Sequence, residues 1–131
     1  MDTIHLRYTI VMNTTETKQG SCHCKAVTYT AKVDLTQPVI ECNCSYCEAK
    51  GYLLAFIPEE SFSLESGKEK LIEYRFNTKK IQHFSCEVCG VAPFAFGEAE
   101  GGQKTVALNV RTLSDISLAK LTRQAFDGKS L

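Results

Sequence analysis

Cys42-Asn43-Cys44-Ser45-Tyr46-Cys47 places three thiols within six residues. If the backbone runs extended into this stretch, Cys42 and Cys44 project to one side. A short helical turn over Ser45 to Lys50, ended by Gly51, would then swing Cys47 back toward Cys44. Three thiolates on one zinc ion leave a position of its tetrahedral shell to water or substrate, whereas four would close it. The chain's other cysteines fall in two clusters, Cys22-His23-Cys24 and Cys86-Glu87-Val88-Cys89. Together they offer four thiols, enough for a closed site that borrows nothing from the first.

Cys86-x-x-Cys89-Gly90 has the spacing of a zinc knuckle, whose turn points both sulfurs one way while the trailing glycine takes up the strained backbone conformation. Cys22-x-Cys24 is a weaker motif alone. An extended chain nevertheless puts residues i and i+2 on one face, so this pair can complete a four-thiolate site with the knuckle. Such a clamp ties the start of the domain to its far half and turns metal affinity into folding free energy on the order of 10 kcal/mol. His5, His23 and His83 are the histidines that could close the three-thiol shell. His83 reads better as a hydrogen-bonded strand residue, and a lone cysteine nucleophile would leave the spacing unused.

The composition bounds the rest. At 131 residues with 44% apolar content, the chain is one domain's length and can bury a genuine core. Fifteen lysines and arginines balance fifteen aspartates and glutamates, so no bulk field attracts nucleic acid or an anionic membrane. No stretch has the apolar length of a membrane span, and the first dozen residues lack the pattern of a secretory signal. A cytoplasmic location is expected, where clustered cysteines are more often metal ligands than disulfides. The odd count of seven also argues against a disulfide scaffold.

Strand signals dominate the remainder. Ala26 to Val33 alternates with period two, placing Val27, Tyr29, Ala31 and Val33 on one face. Asp34 to Pro38 reads as a turn, and Val39 to Cys42 leads into the central cluster. Tyr52 to Ile57 reads as a core strand stopped by Pro58, followed by a turn over Glu59 to Phe62. Ser63 to Ser66, Leu71 to Phe76 and Lys80 to Ser85 read as short strands in a meander, with two more at 93–97 and 105–110 around Gly101-Gly102. The tail from Leu113 to Phe126 suggests a short helical turn. Leu6 to Met12 is a candidate strand, and Met12 a candidate alternative start. Asn13 to Gly20 reads as a linker, so the chain divides into an extension over 1–19 and a zinc domain over 20–131.

The order of three segments carries a resemblance: Gly20-Ser21-Cys22-His23-Cys24-x-Ala26-Val27, then Cys42-Asn43-Cys44-Ser45-Tyr46-Cys47, then Phe84-Ser85-Cys86-x-x-Cys89-Gly90. Together with Asn109-Val110-Arg111-Thr112-Leu113 and Phe126-Asp127-Gly128-Lys129-Ser130, these resemble the glutathione-dependent formaldehyde-activating enzyme family and its centromere-protein-V relatives. The resemblance implies a mainly β fold, a β-tent of small antiparallel sheets organised around zinc. It implies two zinc ions, a structural one on Cys22, Cys24, Cys86 and Cys89 and a catalytic one on Cys42, Cys44 and Cys47. The implied activity is that of a carbon–sulfur lyase: the thiolate of glutathione, accepted at the second zinc, adds to formaldehyde to give S-(hydroxymethyl)glutathione. Asn43, where the family often has histidine, and Lys25, where glycine is common, depart from the pattern and bear on substrate identity more than on metal binding.

Glutathione carries two carboxylates, so a cation near the open site is expected, with Arg111 and Lys50 as candidates. The alternative is a non-catalytic, zinc-stabilised binding module like the centromere-protein-V relatives. Their basic low-complexity extension has no counterpart in this neutral chain, which speaks against DNA as the partner.

Overall fold

Alternating burial along β2 (Thr28–Val33) sets the first layer: Tyr29, Ala31 and Val33, with Val27 just before the strand, are all buried, as the period-two pattern predicts. The computed structural model describes residues 14–76 and 80–130, and the candidate strand at Leu6 to Met12 lies outside them. β2 is the middle of a three-stranded antiparallel sheet, between β1 (Glu16–Ser21) and β5 (Phe62–Ser66). Its buried face packs on the larger sheet through Tyr29, whose ring meets Phe94 of that sheet edge-on at 5.7 Å and lies 5.4 Å from Phe62 on the neighbouring strand β5. The Tyr29 hydroxyl shares a 2.7 Å hydrogen bond with Thr112 Oγ1. Each fully buried side chain of this size contributes about 1.5–3 kcal/mol relative to exposure.

The second sheet has seven strands in the order β10-β3-β4-β9-β8-β7-β6. Its members are β3 (Val39–Cys42), β4 (Leu54–Pro58), β6 (Leu71–Tyr74), β7 (Gln82–Cys86), β8 (Phe94–Glu98), β9 (Lys104–Asn109) and β10 (Arg123–Phe126). From β6 to β9 it is an antiparallel meander. Val106, Leu108 and Phe94 point into the space between the two sheets, where the main core lies. The chain is mainly β, as expected from sequence. Among the described residues no helix is long and apolar enough to cross a membrane.

Three expectations need correction. Glu16 to Gly20 belongs not to a linker but to β1, which runs antiparallel to β2 from Glu16 opposite Val33 to Ser21 opposite Thr28. Only Gly20 of its residues is buried, so the strand is made by backbone pairing that a polar sequence does not advertise. β5 does not join a meander with β6. It pairs with β2 in the small sheet, and the chain then crosses to the far edge of the large one. The tail has a single 3-10 turn at Leu118–Lys120 and then β10, which pairs parallel to β3 with Arg123 opposite Val39 and Phe126 opposite Cys42.

Candidate metal centres

The first centre grows from two turns. After β1, the Cys22 amide donates to the Val27 carbonyl at 3.0 Å, closing a loop in which Lys25 takes a left-handed conformation (φ 66°). That geometry accounts for the suitability of glycine there: lysine tolerates it at a cost of roughly 1–2 kcal/mol. At the end of β7, the Gly90 amide donates to the Cys86 carbonyl at 2.8 Å and the Cys86 amide to Val91 at 2.9 Å, and Gly90 adopts φ 80° as a knuckle requires. The sulfurs of Cys22, Cys24, Cys86 and Cys89 then lie within 4.8 Å of one another. Two of the separations, Cys22 to Cys24 and Cys24 to Cys86, are 3.7 Å. A tetrahedron with zinc–sulfur arms of about 2.3 Å has edges of about 3.8 Å, so the donor set fits that ion. Val27 and Val88 amides donate to Cys22 and Cys86 Sγ, both at 3.4 Å.

Crowding of the thiols is itself informative. Burial pushes Cys89 up, but the Val91 and Cys24 amides and the neighbouring thiols bring it down to about 6. The Ala26 amide pulls Cys24 down, yet burial and the thiols of Cys22, Cys86 and Cys89 outweigh it and raise Cys24 to about 11. Four sulfurs this close cannot all ionise unless a cation compensates them.

The second centre is a single local turn. Cys44 caps the helix α1 (Ser45–Lys50), its Sγ accepting from the Cys47 amide at 3.3 Å, while the Cys44 amide donates to Cys42 Sγ at 3.5 Å. Gly51 ends the helix in the left-handed conformation (φ 70°), its amide donating to the carbonyl of Cys47. The sulfurs of Cys42, Cys44 and Cys47 gather within 4.8 Å of one another, as the helical-turn reading requires. Cys47 is buried; that burial and the nearby Cys44 and Cys42 hold its thiol well above its ordinary range. Cys44 moves the other way. Burial opposes ionisation there, but the Cys47 amide and the Cys47 and Cys42 thiols outweigh it. Among the described residues, no histidine, aspartate or glutamate joins either group.

Two neighbours fix the turn in place. The Tyr46 ring sits 4.5 Å from that of His83 and 5.2 Å from Phe76, docking α1 on the meander. The C-terminal segment crosses the turn from the other direction. The Asn43 amide donates to the Phe126 carbonyl at 3.1 Å, and its side chain bridges Asp127, to which Nδ2 donates at 3.0 Å, and the Lys129 amide, from which Oδ1 accepts at 2.9 Å. Gly128 lies so close that a Cβ built on it would stand 2.5 Å from Cys42 Sγ, so a side chain there would displace the thiol.

The three-thiol turn opens into a cavity of about 600 Å³ lined also by Ile40, Phe56, Phe76, Ile81, His83 and Phe126. A smaller hollow of about 310 Å³ touches Cys42 and Cys47 together with Glu41, Asn43, Glu48 and Arg111. Arg111 Nε donates to the Gly51 carbonyl at 2.8 Å, which fixes the guanidinium beside this hollow. Lys50 instead lies over the Tyr46 ring at 5.8 Å and lines neither space. His23 is exposed at the first centre, and His5 lies outside the described residues. His83 is not the hydrogen-bonded strand histidine expected. It is buried in the cavity wall, its Nδ1 has no partner among the described residues, and burial lowers its pKa. Sequence reasoning missed the cavity because its walls come from β3, β4, β7 and β10, which are distant in sequence.

Fold and site together define a mainly β domain with two cysteine clusters, each able to hold a metal ion. The model of the family described as glutathione-dependent formaldehyde-activating enzyme matches residues 17–127, and the chain belongs to that family. A crystal structure of a Rhodobacter sphaeroides protein is similar to it with a TM-score of 0.72 at 24% identity, covering 82% of this chain and 97% of that one. At that identity the likeness speaks to fold.

Proposed function

We propose that the protein is a zinc-dependent carbon–sulfur lyase acting on a glutathione–aldehyde adduct, with Cys22, Cys24, Cys86 and Cys89 holding a structural zinc and Cys42, Cys44 and Cys47 a catalytic one. The observation that carries this reading is the difference between the donor sets: four sulfurs at tetrahedral spacing in one, three beside a ligand-sized cavity in the other. Zinc on three thiolates supplies a Lewis-acidic position that favours the ionised form of an incoming thiol.

The chain's own residues do the remainder. Amides of Cys44 and Cys47 donate to Cys42 and Cys44 Sγ, and the Cys47 amide favours the Cys44 thiolate. Asn43 holds the C-terminal segment against the turn, so that Gly128 and Phe126 shape the approach. Arg111 suits a substrate carboxylate, and Glu41 or Glu48 an ammonium, in the smaller hollow. In the synthetic direction the thiol sulfur bonds to the carbonyl carbon, the C=O π pair moves to oxygen, and the proton lost from sulfur is matched by the one gained there. Nothing is oxidised or reduced.

Exchange NMR between formaldehyde and S-(hydroxymethyl)glutathione tests the proposal. Interconversion should accelerate in proportion to wild-type protein and not with Cys44→Ser. No acceleration by protein carrying both metals would leave a zinc-stabilised binding module.

A further inference from the structure

The cavity beside the three-thiol turn is larger and more apolar than a one-carbon aldehyde needs. Its walls, apart from the cysteines and Gly128, are Ile40, Phe56, Phe76, Ile81, His83 and Phe126, and among the described residues no lysine, arginine or carboxylate lines it. Phe56, Ile81 and Phe126 are 57%, 48% and 48% exposed, so the domain leaves large apolar side chains at the wall of this space. Clustered exposure of that kind marks a binding surface, and a volume of this size is typical of small-molecule sites. Past the ridge made by Phe56 and Ile81, a second hollow of about 390 Å³ continues over Ala95, Gly97 and Ala107.

From this we infer that the aldehyde partner carries a bulky apolar group, of the size of a benzyl or branched alkyl chain, which occupies the cavity while the thiol's polar portion lies at the smaller hollow. The inference rests on the carbon–sulfur chemistry proposed above and names its substrate class. The walls of the large cavity offer no counter-charge to the carboxylates of a glutathione peptide. Charged groups border the smaller hollow instead, and Cys42 and Cys47 belong to both. A substrate reacting at the three-thiol turn is therefore met by an apolar wall on one side and a polar one on the other. His83 in this wall is buried, and that burial disfavours its charged form.

The test compares phenylacetaldehyde with formaldehyde, each with glutathione and the zinc-loaded protein, as acceleration over the uncatalysed rate. A parallel calorimetric titration compares S-benzylglutathione with S-methylglutathione, which needs no turnover. The expected results are at least a tenfold preference for phenylacetaldehyde and, from burial of the ring, binding of the benzyl thioether tighter by on the order of a hundredfold. Ile81→Trp, which fills the cavity from a half-exposed position, and Phe126→Ala, which removes a wall, should each cut both preferences by tenfold or more. Equal binding of the two thioethers, or preference for formaldehyde, overturns the inference. If neither aldehyde reacts faster, the lyase reading fails, and the thioether comparison alone still decides the cavity's role.

Discussion

Asn43 Nδ2 donates to Asp127 Oδ1 at 3.0 Å across 84 residues of sequence, fastening the end of the chain to the three-thiol turn. Asn43 Oδ1 accepts from the Lys129 amide as well. One residue thus sets both how the turn is covered and how close Gly128 comes to Cys42. Asn43→Leu removes both bonds while keeping the side chain's approximate size. It should cost about 1–2 kcal/mol of stability and weaken metal retention at the three-thiol site, with the four-thiol site unaffected. Chelator competition followed by metal counting checks this; equal retention at both sites would show that the fastening is incidental.

Native mass spectrometry should find two zinc ions per chain and no mass loss from a disulfide. The division of seven cysteines into groups of four and three motivates this expectation. One metal at saturation, with three thiols free to alkylate in the native state, would contradict it.

Removing a ligand should have unequal effects at the two centres. Cys24 and Cys86 meet across 62 residues of sequence, so the four-thiol site joins the small sheet to the large one. Cys89→Ser therefore puts at risk metal-linked folding energy on the order of 10 kcal/mol, comparable to a domain's whole stability, and should leave the protein unfolded or insoluble. Cys44→Ser disturbs a local turn. That variant should melt cooperatively with a single zinc bound, and calorimetry with metal analysis separates the two outcomes.

How much was legible beforehand depends on where each element's information resides. β2 announced itself because its apolar residues alternate and are buried. α1 did so because its cap, cysteine spacing and terminal glycine are local. The two cysteine groups assembled as their spacing suggested. By contrast, β1 is a polar edge strand, and all four residues of β10 are exposed, so neither carries a burial signal. β10 exists because β3 offers it a parallel partner, a relation between residues about 84 apart. The same reason hid the cavity: Phe56 looked like part of a core strand, whereas it faces the space that Phe126 closes from the other end of the chain.

The position of β1 also changes what can be trimmed. A chain beginning at Met12 keeps the whole β1–β2 ladder, the Gly20 to Leu113 bridge and the Ser114 amide's bond to the Gln19 carbonyl (2.8 Å), and should bind both metals and melt cooperatively. A chain beginning at Gly20 loses most of that ladder and should melt at a lower temperature. Equal melting of the two would mean that β1 adds nothing to stability.

Cobalt substitution addresses the central claim, that the three-thiol centre is a metal site open to a substrate thiol. With cobalt in place of zinc, millimolar glutathione should strengthen the thiolate-to-metal charge-transfer band of the wild type as a fourth sulfur enters, and should leave the Cys44→Ser spectrum unchanged. A wild-type spectrum that does not respond to glutathione at that concentration would contradict the account.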